Sequence, residues 1–207
     1  MRAALLAVGL LLLVSGCTVP TEHPAEHYNA DPEGYLGGTS LPEPYTMPDL
    51  TLTDTSERPY NLASSPSRPV TLMFFGYSKC PDVCRTVLSE IAVALQRMDP
   101  AERDHIQVIF VTTDPARDNP AVIRKYLDGF DPTFVGLTGP LATIKQAAEQ
   151  VGVSIEGKKK LPSGGYDIGH STQVIGFNRA AGVVVWTPGS PVGDLKHDFA
   201  LLVEKAR

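Results

Sequence analysis

Two nearly unbroken apolar runs set the terms for what this chain can fold into. Val70-Thr71-Leu72-Met73-Phe74-Phe75 and the segment from Ile106 to Val111 carry one polar residue each. Strands with that pattern are covered on both faces, the condition of a mainly parallel sheet sandwiched between helices. Between them Val87, Leu88, Ile91, Leu95 and Met98 recur at helical spacing, which predicts an amphipathic helix begun by Pro81.

The same alternation continues. Helices are expected at Pro120 to Leu127, at Pro140 to Val151 and from Val192 onward, with a short strand around Phe134 to Leu137. A Gly-rich excursion from Gly157 to Gly169 precedes two strands, Gln173 to Phe177 and Val183 to Trp186, whose short connection Asn178 to Gly182 predicts an antiparallel hairpin. Ahead of all this, Leu50 to Thr53 and Tyr60 to Leu62 predict a small N-terminal β-hairpin. A βαβ unit followed by a ββα unit is the thioredoxin-like arrangement: an α/β fold with a central mixed sheet flanked by helices.

The first seventeen residues, MRAALLAVGLLLLVSGC, read differently. Arg2, an apolar run from Ala3 to Val14 and small residues before Cys17 form an export signal, the run being too short to span a bilayer comfortably. VSGC resembles the lipobox of bacterial lipoproteins, which implies residues 1–16 as signal, Cys17 as a lipidated N-terminus, and attachment to the extracytoplasmic face of the cell membrane. Residues 17–47, rich in Pro, Gly, Glu and Thr, then read as a flexible tether, and residues 48–207 as the folded domain. His23 and His27 within the tether read as a chance pair, since Pro24 opposes the helix that would align them. The formal net charge of −5 argues against nucleic acid as a partner, and the one basic run, Lys158 to Lys160, reads as a solvated loop tip.

With Cys17 assigned to lipid, two of the three cysteines remain, Cys80 and Cys84, in FFGYSKCPDVCR. Pro81 as first helical residue would put Cys80 at the cap and Cys84 one turn in, where the helix dipole lowers thiol pKa values. Side chains four apart on a helix have Cβ atoms about 5–6 Å apart, whereas a relaxed disulfide wants about 3.5–4.5 Å. A disulfide here would therefore be readily reduced, and so short a loop adds little stability. Spacing alone leaves a redox pair and a metal pair both open. His170 stands just before the Gln173 strand, where thioredoxins carry a cis-proline that this chain lacks. Opposite two low-pKa thiolates it reads as a third ligand, and two sulfurs with one imidazole suit copper, as Cu(I) or Cu(II), or zinc.

FFGYSKCPDVC, TTDPARDNP (Thr112 to Pro120), DIGHSTQ (Asp167 to Gln173) and the weaker marker GLTG (Gly136 to Gly139) together resemble the Sco/SenC family over the whole globular part. The resemblance implies a membrane-tethered, thioredoxin-like copper chaperone for the dinuclear copper (CuA) centre of cytochrome c oxidase subunit II, with Cys80, Cys84 and His170 as copper ligands. It also implies a thioredoxin-like reductant and another periplasmic copper carrier as partners. Three positions depart from the family pattern: Arg85 where proline is common, Asn119 in DPARDNP, and Gly169 where aspartate often precedes the histidine. DPARDNP also has a structural reading, with Asp118 or Asn119 as N-cap and Pro120 as first helical residue, beside one in which Asp114 lies near the copper loop.

A carrier is the leading expectation. The rival is an enzyme, a thiol-disulfide oxidoreductase using Cys80 and Cys84 as a redox-active pair to keep the CuA cysteines reduced. His170 separates the two, because reduction needs only the thiols. A peroxidase of the peroxiredoxin type is disfavoured by Tyr77, which stands where those enzymes carry threonine.

Overall fold

The computed structural model describes residues 31–162 and 164–207, so the export signal, Cys17 and the His23/His27 pair lie outside the described residues. Its strands, in chain order, are β1 (Gly38–Thr46), β2 (Thr51–Asp54), β3 (Pro59–Asn61), β4 (Val70–Gly76), β5 (Ile106–Thr112), β6 (Val135–Thr138), β7 (Ile155–Lys160), β8 (Tyr166–His170), β9 (Val174–Asn178) and β10 (Ala181–Trp186). The helices are α1 (Val83–Gln96), α2 (Pro100–Arg103), α3 (Pro120–Leu127), α4 (Leu141–Gln150) and α5 (Val192–Lys205).

The strands form an eight-stranded mixed sheet in the order β1-β10-β9-β4-β5-β6-β2-β3, with β7 and β8 as a separate hairpin. Strands β4, β5 and β6 run parallel; β9 lies antiparallel to β4 with Met73 opposite Ile175. This is the thioredoxin-like α/β arrangement, and the β2–β3 hairpin extends the sheet by pairing β2 with β6. Every residue of β4 and β5 is buried, as their unbroken apolar runs require. Leu72, Phe74, Val108 and Phe110 join a core with α1, α3 and α5, whereas Met73, Phe75, Ile109 and Val111 join one with α4. Period-two alternation sends successive side chains to opposite layers, so two cores share one strand. Full burial of each such side chain is worth about 1.5–3 kcal/mol.

Three expectations need correction. The folded unit starts before residue 48, because Gly38–Thr46 pairs antiparallel with β10 along the sheet edge, with a bulge between Ser40 and Tyr45. Pro42 and Pro44 made this stretch read as tether, yet an edge strand tolerates prolines because only one side of it must pair. The buried carboxyl of Asp198 on α5 secures its start, accepting from the backbone N–H groups of Leu36, Gly37 and Gly38 and from Trp186 Nε1 at 2.7–2.9 Å. Second, α1 begins at Val83 with Asp82 as N-cap, two residues beyond Pro81, so Cys80 lies outside the helix. Third, the Gly-rich excursion is the β7–β8 hairpin, and Lys158 to Lys160 lie on β7 opposite Tyr166 to Ile168.

Candidate metal centre

The Cys80 and Cys84 sulfurs and a His170 ring nitrogen converge at the C-terminal end of β4, all within 4.8 Å of one another. Both thiols are free and buried, Cys84 completely. The turn after β4 is closed by the Cys80 N–H donating to the Tyr77 carbonyl at 3.1 Å. Leaving Cys80 outside the helix frees its sulfur to accept the Cys84 N–H at 3.4 Å, a bond that an unbroken helix through both residues would not allow. Gly76 keeps room for the second sulfur. A Cβ there would lie 3.1 Å from Cys84 Sγ and 3.0 Å from the Phe74 and Phe110 rings, and all three neighbours are packed on every side.

His170 ends β8, opposite Ile155 of β7. Its Nδ1 lies 2.8 Å from the Ser171 carbonyl. A carbonyl can only accept, so Nδ1 carries the hydrogen and, in the neutral ring, Nε2 presents its lone pair. Nε2 is the atom facing the cysteines, 3.7 Å from Cys84 Sγ. The ring is held by edge-to-face contacts with Tyr77 (5.9 Å) and Phe74 (6.4 Å).

The two thiols differ. The neighbouring Cys84 thiol, with the Cys84 N–H beside it, holds the Cys80 sulfur far below the ordinary thiol range, outweighing burial. Cys84 is pushed up because it keeps the shared proton and because it is buried. The two sulfurs are thereby biased in opposite directions, Cys80 at the mouth of the site toward thiolate and the deeper Cys84 toward thiol. Metal–sulfur bonds of about 2.3 Å and metal–nitrogen bonds of about 2.0 Å separate ligands of one ion by roughly 3.5–4 Å. From separations of at most 4.8 Å the cluster needs a contraction of about one ångström to meet that, and its two soft sulfurs and one imidazole suit copper or zinc.

Several residues hold the site in place, and of these the sequence pointed to Asp114 near the copper loop but gave Asp118 only as a candidate helix cap. Asp118 is fully buried and reaches back to the cysteine loop: it accepts from the Ser78 N–H (2.9 Å), the Ser78 hydroxyl and the Thr112 hydroxyl (2.7 Å). The cap of α3 is Asn119, which accepts from the Val122 N–H at 2.9 Å, with Pro120 first in the helix. Asp114, buried at the end of β5, pairs with Arg117 and accepts from the Tyr166 hydroxyl at 3.0 Å. Arg117 in turn lies over the Tyr166 ring at 3.8 Å and donates to the Tyr166 carbonyl at 3.1 Å. TTDPARDNP thus fastens both halves of the site, the cysteine loop through Asp118 and the hairpin bearing His170 through Asp114 and Arg117. The signal in the sequence was acidic residues at a strand end, which placed them but could not say what they bond. Tyr77 adds a further tie, donating its hydroxyl to Asp167. Beside Gly169 lies the Glu156 side chain from β7: a Cβ at 169 would fall 2.5 Å from its Oε2, so a carboxylate occupies this neighbourhood without coming from residue 169.

Comparison with known proteins agrees with this geometry. The SCO1/SenC family profile matches residues 39–191. A Stutzerimonas stutzeri protein named for copper binding is 30% identical over 162 residues, covering 78% of this chain and 77% of its own length. The mitochondrial protein SCO1 of Saccharomyces cerevisiae is 34% identical over 117 residues, 56% of this chain, but only 37% of that longer protein is spanned. Among solved structures, apo Sco1 from Thermus thermophilus superposes with a TM-score of 0.72 at 31% identity, covering 81% of this chain and 96% of that one. Copper-bound ScoI from Bradyrhizobium japonicum does so with a TM-score of 0.65, also at 31% identity, covering 74% and 97%.

Proposed function

The chain belongs to the SCO1/SenC family, and from that premise we propose that it carries one copper ion on Cys80, Cys84 and His170 and delivers it to the CuA centre of cytochrome c oxidase subunit II. The observation that carries this reading is the orientation of His170. Its Nδ1 is committed to a carbonyl, which leaves the Nε2 lone pair aimed at two free thiols. Reduction of a disulfide needs only the two thiols, whereas a copper shell needs this third donor. Three ligands leave a coordination position through which a recipient's ligand enters before the old ones leave. Copper arrives from another periplasmic carrier, and a thioredoxin-like reductant returns the cysteines to the thiol form.

That last requirement gives a test. Oxidation of Cys80 and Cys84 to a disulfide removes two electrons and whatever protons the sulfurs hold, and leaves no thiolate to ligate the metal. Anaerobic titration of the reduced protein should reach one copper per chain, and the disulfide form should bind none at the same site. Equal stoichiometry in both forms would overturn the assignment of the sulfurs.

The working location follows from the N-terminal signal. We place the protein on the outer face of the cell membrane, anchored through lipid on Cys17. Mass spectrometry of the membrane-extracted protein is expected to show an N-terminal diacylglyceryl cysteine at position 17; an intact Met1 would contradict it.

A second reading is favoured by one observation, the asymmetry of the pair: Cys80 is 7% exposed and its sulfur accepts the Cys84 N–H, above a fully buried Cys84. That is the polarity of an attacking and a resolving thiol. In this reading Cys80 attacks a disulfide between the subunit II cysteines, Cys84 releases the mixed disulfide, and the pair leaves oxidised. The two readings part at His170.

A further inference from the structure

Next to the cysteine loop the surface opens into a pocket of about 500 Å³, walled by Ser78, Lys79 and Arg85 on one side and by Lys125, Tyr126 and Phe130 of the α3 region on the other. Tyr126 and Phe130 meet edge to face at 5.2 Å, a firm aromatic wall. Lys79, Arg85 and Lys125 are exposed, and among the described residues none of the three takes part in an ion pair. No carboxylate lines the pocket; Asp128, on the next turn, is engaged with Arg124 at 2.8 Å. Three unpaired cations around one concavity are notable on a chain of net charge −5. They also flank both sulfurs directly, since Lys79 precedes Cys80 and Arg85 follows Cys84.

Copper can leave this site only if a recipient sulfur or nitrogen comes within bonding distance. Cys84 is fully buried and Cys80 is 7% exposed, so the approach is narrow and runs along the Cys80 side. A partner must therefore be held beside the opening rather than over a broad face. We propose that this pocket seats an acidic polypeptide segment of the copper recipient, its carboxylates between Lys79, Arg85 and Lys125 and its apolar atoms against Tyr126 and Phe130. The inference rests on the copper-carrier reading and adds the recognition chemistry. Charges at the edge of a contact act mainly on the association rate and its salt dependence, and three are enough to raise that rate tenfold or more at low ionic strength. Arg85, which departs from the family pattern, is thereby part of partner choice rather than of the metal shell.

The test uses the full chain in detergent micelles and two synthetic dithiol peptides, identical except that the residues around their C-x-x-x-C are glutamate in one and glutamine in the other. Copper transfer to the glutamate peptide should be about tenfold faster at low salt, and the ratio should fall toward one near 0.5 M salt, where the screening length is only a few ångströms. Lys125→Glu, remote from the ligands, should abolish or reverse the preference with one copper still bound per chain. Fluorescence anisotropy of the labelled peptides on copper-free protein reads docking by itself, so loss of the copper-carrier reading and loss of the docking site give different results. Equal rates for the two peptides, or a preference that survives Lys125→Glu, would overturn the proposal. So would displacement of the glutamate peptide by millimolar inorganic phosphate, which would make the pocket a small-anion site.

Discussion

His170→Ala is expected to lower Cu(II) affinity by at least about a hundredfold, the upper range for lesser perturbations of a metal site, while Cu(I) falls to a weaker two-sulfur mode. The difference between the ions follows from ligand softness: two thiolates still suit Cu(I), but Cu(II) loses the donor that suits it better. The substitution also removes the ring that packs on Tyr77 and Phe74. Since His170 ends a strand rather than sitting in a loop, a stability loss of about 1–2 kcal/mol should accompany the metal effect. Competition titrations with chelators of known affinity, run for each oxidation state, read the first effect, and calorimetry of the copper-free protein reads the second. Thiol–disulfide exchange at Cys80 should continue at a similar rate. A variant that binds Cu(II) as the parent does would move the reductase reading ahead of the carrier.

The second large effect is expected at a residue that touches no metal. Asp118→Ala leaves the Ser78 N–H, the Ser78 hydroxyl and the Thr112 hydroxyl without their common acceptor in a fully buried setting. Each orphaned donor costs about 1–3 kcal/mol; because the two hydroxyls can turn to other acceptors, the low end of the sum is expected, about 3–5 kcal/mol, or on the order of 10 °C in melting temperature for a domain of this size. Asp118→Asn keeps one acceptor oxygen and should recover part of it. Because Ser78 lies two residues before Cys80, the loop also loosens, and alkylation of Cys80 by iodoacetamide should accelerate in the folded protein. Melting within about 2 °C of the parent, with unchanged alkylation, would show that Asp118 does not hold the loop.

The metal effect at His170 could be framed from residue order alone, whereas the effect at Asp118 could not. His170 announced itself, because an imidazole just before a strand that packs beside a dithiol has few other uses in this fold. Asp118 was read as a candidate helix cap, since Asp, Asn and Pro in succession mark a helix start. Asn119 took the cap, and Asp118 turned back to the cysteine loop forty positions earlier in the chain. The edge strand Gly38–Thr46 was hidden by its two prolines, and the β7–β8 hairpin by its glycines and lysines. In each case the local composition favoured a loop and what fixes the strand is remote in the chain: pairing with β10 for the first, and for the hairpin, whose two strands pair with each other, the anchoring contacts of Arg117 and Asp114.

By itself, the sequence determined the layered α/β fold, the order of the central elements and the three candidate ligands. Those follow from local periodicity and from short motifs whose chemistry is carried by residue type. Only the tertiary structure decided that Cys80 stands outside the helix and accepts from Cys84, that His170 turns Nε2 toward the sulfurs, and that one acidic loop clamps both halves of the site. These are matters of where a side chain finds its hydrogen-bond partner once the sheet has brought distant segments together. A buried polar group must be satisfied by whatever lies within about 3 Å, and that neighbour is chosen by packing rather than by proximity along the chain.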